Sequence, residues 1–413
     1  RRQRQMCIRD RKYAKLAVKK GVNIQKDQLL VINSPIDCSE FARMIADEAY
    51  KYGASDVVIN YSDEKFNRIR FMNSTKEVLS FTPEFERDKY DYYVDKGAAF
   101  LSISAADPNI LQGIEPEKIS SAQKSRREAL KKYHEACTGN KNSWCIVSIP
   151  TEGWATKVFS SIPSEEAVEK LWDAIFNVMR ITEDNPVNAW DKHVKTLHEK
   201  VSKLNEFDFD YLHFTNSLGT DLKIELVNNH VWCGGEDKTE SGVNFIANMP
   251  TEEVYTTPKL DGVNGIVYSS KPLSYMGNLI NNFSVTFKDG AAVDCNAETG
   301  LEILKELINS DENSKYLGEV ALVPFDSPIS NSNIIFYNTL YDENASCHLA
   351  FGSSYPSCIK NGENMSKEDL LKAKANSSIT HVDFMIGTSD TNITGVKKDG
   401  TEIQIFRDGN WAI

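Results

Sequence analysis

This 413-residue chain has no apolar run approaching the roughly 20 residues that span a bilayer, so no membrane-crossing helix is expected. Its opening residues include no apolar segment of signal-peptide type, so secretion is not expected either. Its eight cysteines, Cys7, Cys38, Cys137, Cys145, Cys233, Cys295, Cys347 and Cys358, are scattered, with no CxxC and no close pair. That pattern excludes the disulfide framework of short secreted chains and reads as reduced thiols in the cytoplasm. Positive charge is also short: 47 Lys and Arg face 59 Asp and Glu, a net charge of −12. A nucleic-acid surface needs clustered cations, so small molecules or peptides are the expected partners. Histidine is scarce, with only seven in the chain. The loop after the first expected strand, SPIDCSEF, has no glycine, which argues against a dinucleotide-binding GxGxxG turn. There is no internal repeat and no low-complexity tract.

What is present is ordinary globular material, 41% hydrophobic and 26% charged. It is too long for one ordinary core and suggests two domains of roughly 200 residues. The opening RRQRQMCIRDR carries five arginines and no apolar periodicity, so it reads as a tail and is set aside. QLLVIN (28–33) reads as a buried strand. Phe41, Met44, Ile45, Ala49 and Tyr52 then recur at helical spacing between a Ser39 cap and Gly53, and DVVINY (56–61) is a second strand. The alternation continues through AAFLSIS (98–104), a polar helix around 121–136, WCIVSIP (144–150), and a helix capped by Ser164 with a stripe of Val168, Leu171, Trp172, Ile175 and Met179. Strands alternating with helices imply a parallel sheet covered on both faces. Beyond a boundary near 205 the runs become short and strand-like, with Lys-Asp-Gly turns at 288–290 and 398–400 and helices after Thr299 and Ser366. The expected fold is an N-terminal parallel-sheet α/β domain (12–205), then a C-terminal α+β domain (206–413) with a largely antiparallel sheet.

The chemistry concentrates in the second half. In THVDF, His381 and Asp383 stand two apart on an expected strand and project to one face, flanked by apolar residues. Such a pair either binds a metal or is hydrogen-bonded within itself. NTLYDENASCHLAFG brings Glu343 and His348 five residues apart, LGEVALVP opens an apolar run with Glu319, and NMPTEEVYTTP places Glu252 beside Glu253. Each acid alone is more often solvated. Together they put several carboxylates and two histidines near strand ends of one domain. Cys347 beside His348 reads as packing, and His134, His193 and His198, in charged helical segments, read as solvent-facing. His213, and His230 with Trp232 and the Gly234–Gly235 pair, are candidates for a cleft wall.

These motifs, with the C-terminal HVDFMIG and DGTEIQIFRDGNWAI, resemble the thermophilic-type metallo-aminopeptidases, the family of aminopeptidase T and aminopeptidase S. The resemblance extends from about residue 12 to the C-terminus. It implies two divalent cations per subunit, Zn, Co or Mn, held by Glu253, Glu319, Glu343, His348, His381 and Asp383, with Glu319 as bridge. Tyr355, in GSSYP, matches a tyrosine of the family motif and would donate a hydrogen bond to the reacting carbonyl oxygen. The Glu252–Glu253 pair resembles the arrangement in other two-metal aminopeptidases, one carboxylate the base and the next a ligand, which makes Glu252 the candidate general base. Adjacent strand residues face opposite ways, so this requires a local bend there. The implied reaction is hydrolysis of the first peptide bond of small peptides with a free N-terminus, by a metal-activated water, in a homodimer. Four ligand carboxylates would balance two divalent cations, and a donor set without thiolate suits those metals. Two other readings stand beside this one: a two-metal phosphoesterase, and a non-catalytic peptide- or metal-binding protein on the same fold.

Overall fold

A computed structural model describes the backbone of residues 2–276 and 278–413, and the side chains from residue 8 onward except at 277. The chain divides into two compact units, Arg1–Lys192 with Glu236–Pro250, and His193–Gly235 with Thr251–Ile413. The expected boundary near 205 falls inside a helix, Pro186–Phe207.

In the first unit, strands β1 (Leu29–Pro35), β2 (Asp56–Ser62), β3 (Ala99–Ile103) and β4 (Trp144–Val147) form one parallel sheet in the order β2-β1-β3-β4. Leu30, Val31 and Ile32 of β1 are all buried, as a sheet covered on both faces requires. The helix Ser39–Lys51 buries Phe41, Ala42, Ile45 and Ala49 along one stripe, and Gly53 follows at a φ of 92°. The helix Ser164–Val178 buries Leu171 and Ile175, but also Phe176 and Val178, while Val168 and Trp172 stay half-buried.

Several local expectations are corrected. Ser39 and Ser164 are not caps: those positions belong to Cys38, fed by a 3-10 turn, and to Pro163, whose fixed φ sets the entry. The polar helix is two helices, Pro116–Ala129 and Lys131–Thr138, parted where Leu130 turns into the core. The arginine-rich opening is a helix, Arg2–Leu16. Its end is anchored by fully buried Tyr13, Ala14 and Leu16, and the Tyr13 hydroxyl donates to the Ser148 carbonyl at 2.9 Å. Arg, Gln and Lys are good helix formers and continue a helix that is already anchored.

The second unit holds two antiparallel sheets. The larger, of nine strands, runs from Leu273–Tyr275 through Asn278–Lys288, Pro258–Tyr268, Asp221–Leu226, Phe209–Thr215, Asn392–Lys397 and Glu402–Arg407 to Asn410–Trp411, with Ala291–Thr299 paired to Asn278–Lys288. Asp289 and Gly290 take φ of 50° and 83°, the left-handed pair of a two-residue hairpin turn. A Cβ at Gly290 would lie 1.8 Å from the Leu260 carbonyl oxygen, so glycine is required there. The smaller sheet has the order His381–Met385, His348–Gly352, Leu317–Leu322, Val254–Thr256. Its back face packs on the larger sheet: Phe351 lies between Phe287 and Phe384, at ring separations of 6.1 and 4.8 Å. Val320, Leu322 and Leu349 belong to the same core. A parallel α/β first half and an antiparallel second half are the expected classes.

In the first unit, Asp10 has a buried Oδ1 without a hydrogen-bond partner. Burial, then the nearby Glu40 charge, push its carboxyl from 3.8 up to about 6. Because the folded value lies above the unfolded one, ionised Asp10 opposes folding. The penalty is fully present above about pH 6 and gone below pH 3.8. After discounting for solvent screening it is on the order of 1 kcal/mol. Asp10→Asn should therefore raise Tm at pH 7.5 and leave it unchanged near pH 3.5, which differential scanning calorimetry measures.

Candidate metal centre

The smaller sheet turns its other face into a cluster of acids and imidazoles. Across it, Glu319, Ala350 and Asp383 stand in one register row, and Ala321, His348 and Met385 in another. Directly opposed residues of an antiparallel sheet share a face, so Glu319, His348 and Asp383 project together, and His381, two before Asp383, joins them. The middle strand presents only His348, Ala350 and Gly352 to this face, leaving room between Glu319 and Asp383. A bulge between Leu317 and Glu319 makes the arrangement possible: Leu317 opposes core-facing Phe351, whereas Glu319 opposes Ala350. Gly318 is the extra residue. A Cβ there would meet the carbonyl oxygens of Gly352 and Ser353 at 2.3 Å. The only signal in the sequence was a glycine placed just before the acid at the mouth of an apolar run.

Glu253 and Glu252 lie in the irregular segment just ahead of the strand Val254–Thr256, so strand alternation does not dictate their directions. The Glu253 carboxylate faces His348, and that of Glu252 faces His193. Glu343 opens a short 3-10 turn, Glu343–Ala345. Just before it, Asp342 accepts from the amides of Phe336 and Asn338 and fixes the loop. Asn344, fully buried, accepts from the Glu252 amide at 2.7 Å and ties the two segments together. Nothing in the sequence marked Asn344 apart from its acidic neighbours.

Two groups result, each with ligand atoms within 4.8 Å of one another: Glu253, Glu319 and His348, and Glu319, His381 and Asp383. Glu319 belongs to both. Its Oε1 lies 3.8 Å from His348 Nε2 and its Oε2 lies 3.2 Å from His381 Nε2. His348 Nε2 is 3.0 Å from Glu253, and His381 Nε2 is 3.4 Å from Asp383. Glu343 lies outside both groups, yet the charges of Asp383, Glu253 and Glu319 act on its carboxyl.

The electrostatics show how crowded this negative charge is. Burial, then Asp383 and Glu253, push the Glu343 carboxyl well above its usual range. Burial raises Glu253 against the pull of His348. Burial would raise Glu319 too, but the facing imidazoles of His348 and His381 hold it down to about 2. Burial presses both imidazoles down, and the facing carboxylates push them well above their usual value.

The residues present fit divalent cations. Each histidine directs Nδ1 at a carbonyl oxygen, Ser346 at 3.2 Å for His348 and Ser353 at 2.8 Å for His381. A carbonyl only accepts, so Nδ1 carries a proton; the second proton, which the facing carboxylates favour on Nε2, is lost when a cation binds, and Nε2 then offers its lone pair. Asp383 Oδ1 is buried and makes no hydrogen bond. Lone pairs and carboxylate oxygens converging in a buried site require positive charge among them.

Tyr355 reaches the same place, its hydroxyl 3.3 Å from His381 Nε2 and its ring 5.8 Å from that of Tyr255. The residue as a whole is 38% exposed, but desolvation at its hydroxyl, then Glu319 and Asp383, push the phenol above its usual value and keep it a donor. Cys347 packs as expected, its thiol against the Val323 backbone. His134 is exposed, but His193 is not the solvent-facing residue expected: its side chain is 13% exposed. Its face of the helix turns towards the Glu252 segment, a contact that helical periodicity does not reveal. His213 pairs with Asp221 on the large sheet, and His230 is buried with Nδ1 on the Val227 carbonyl.

Residues 9–411 match the thermophilic metalloprotease family M29. The chain belongs to this family. It is 50% identical over 400 residues to aminopeptidase AmpS of Bacillus subtilis, covering 97% of each chain. It is 40% identical over 402 residues to aminopeptidase T of Thermus thermophilus, covering 97% of this chain and 98% of that one. The solved structure of wild-type AmpT from Thermus thermophilus superposes with a TM-score of 0.92 at 39% identity, over 98% of this chain and 99% of that one. A 2,5-dihydroxypyridine dioxygenase from Pseudomonas putida KT2440 matches at a TM-score of 0.55 and 10% identity, over 97% and 96%, and shares the fold alone.

Replacing Asp383 with Ala removes a carboxylate from the group it forms with Glu319 and His381. Bound metal per chain, measured by atomic emission after dialysis, should fall. Undiminished metal content would show that Asp383 is not a ligand.

Proposed function

We propose that this M29 aminopeptidase works with two divalent cations. Glu253, Glu319 and His348 would hold one and Glu319, His381 and Asp383 the other, with Glu319 shared and Glu343 completing the set. The observation that carries this reading is the pair of ligand groups meeting at one buried glutamate. Bound there, the cations would supply a water acidified towards neutrality and a Lewis acid for the scissile carbonyl. Glu252 takes the proton of the attacking water and returns it to the leaving amine. Tyr355 donates its phenolic hydrogen to the carbonyl oxygen as negative charge develops there.

The substrates are small peptides with a free N-terminus, in keeping with relatives named aminopeptidase along 97% of the chain. Those names leave the phosphoesterase and non-catalytic readings without support. A donor set of carboxylate and imidazole favours Zn, Co or Mn. The second unit, which takes in most of the expected domain 206–413, acts as the catalytic domain. The seven described cysteines are free, which supports a cytoplasmic setting. Among the described residues no helix is long and apolar enough to cross a membrane. Besides the family resemblance, a homodimer is supported by exposed Phe66, Ile69 and Met72, which line a helix that buries none of its residues.

Aminoacyl-p-nitroanilides should be hydrolysed in a chelator-sensitive way, with activity returning on addition of Co²⁺, Zn²⁺ or Mn²⁺. Absence of release under every metal sinks the peptidase reading. Glu252→Gln should keep its metal while slowing turnover roughly 10²–10⁴-fold, and an unchanged kcat removes Glu252 as the base.

A further inference from the structure

His193 projects from the helix Pro186–Phe207 to the segment that carries the two adjacent glutamates. Its Nε2 lies 2.8 Å from the Thr251 carbonyl oxygen and 3.3 Å from Glu252 Oε2. Both partners are oxygen acceptors, so Nε2 bears the hydrogen and donates it. On the other side, Asn344 Oδ1 accepts from the Glu252 amide, and Asn344 Nδ2 donates to the Leu340 carbonyl at 3.0 Å. The stretch Thr251–Glu252 is thereby held by a helix residue and a loop residue at once.

That hold has a chemical consequence. Residues 251–253 precede the strand Val254–Thr256, so no sheet ladder fixes their backbone. The Glu253 carboxylate is directed by His348 at 3.0 Å, and that of Glu252 by His193. A glutamate side chain has three rotatable bonds, and a proton-transfer group displaced by about 1 Å loses on the order of 10² in rate. A buried group, only 4% exposed at its side chain, has little water to orient it and takes its direction from protein donors.

We propose that His193 is a positioning residue for Glu252: its Nε2–H holds the Thr251 carbonyl and the Glu252 carboxylate together, so that the carboxylate meets the transferred proton in one orientation. The proposal rests on the reading of Glu252 as general base. It assigns His193 no contact with substrate or metal.

The test uses the metal-loaded enzyme with an aminoacyl-p-nitroanilide. His193→Ala should lower kcat about tenfold to hundredfold. KM, metal content and Tm should stay near wild type. His193→Gln, which restores an N–H donor at the same reach, should recover most of the loss. Because His193 acts through Glu252, the His193→Ala/Glu252→Gln double variant should be no slower than Glu252→Gln alone. If His193→Ala melts early, His193→Leu fills the space without a donor and replaces it. A full-rate His193→Ala beside a slow Glu252→Gln overturns the proposal and leaves the base reading standing. Losses that multiply in the double variant, or that follow metal content or KM, also overturn it. A full-rate Glu252→Gln removes the base reading and this proposal together.

Discussion

The second unit is organised around one electrostatic problem, the burial of several carboxylates within reach of one another. Glu319 is at its centre, between two imidazoles, with Glu253 and Asp383 on either side. Mutual repulsion at this separation is large in a low-dielectric setting, and only facing positive charge offsets it. Protonated His348 and His381 can supply that charge. Divalent cations are the natural replacement for those protons, and the ring nitrogens facing away, both tied to carbonyl oxygens, leave Nε2 free to ligate them.

Rigidity comes from the back of the small sheet. Leu349 and Phe351, alternating with His348 and Ala350, are driven into the core against Phe287 and Phe384, so the acid-bearing face cannot shift without opening packed aromatic contacts. The Gly318 bulge then sets the phase. Regular pairing would send Leu317 and Glu319 to the same side, and the extra residue lets one enter the core and the other the site. His381 depends on the same spot, because the Ser353 carbonyl that fixes its ring is one of the two atoms closing on Gly318.

Much of the scaffold was legible in the residues themselves. Continuous apolar runs such as LLVI became parallel strands covered on both faces, and Asp289–Gly290 turned where left-handed backbone was needed. Residues two apart on one strand stayed together, as His381 and Asp383 show. The misses have local causes: a proline in place of a serine cap, a leucine splitting one helix into two, and buried Tyr13 anchoring a segment whose composition resembles a tail.

By itself, the sequence determined the types of donor, the strand that pairs His381 with Asp383, and through motif resemblance the family. Tertiary structure alone decided which carboxylates share a histidine, that adjacent Glu252 and Glu253 diverge, and that His193 and Asn344 grip the segment between them. Periodicity reports only the face of a single element. Most of the partners here are brought together from positions more than fifty residues apart, by sheet register and side-chain hydrogen bonds that no local pattern encodes.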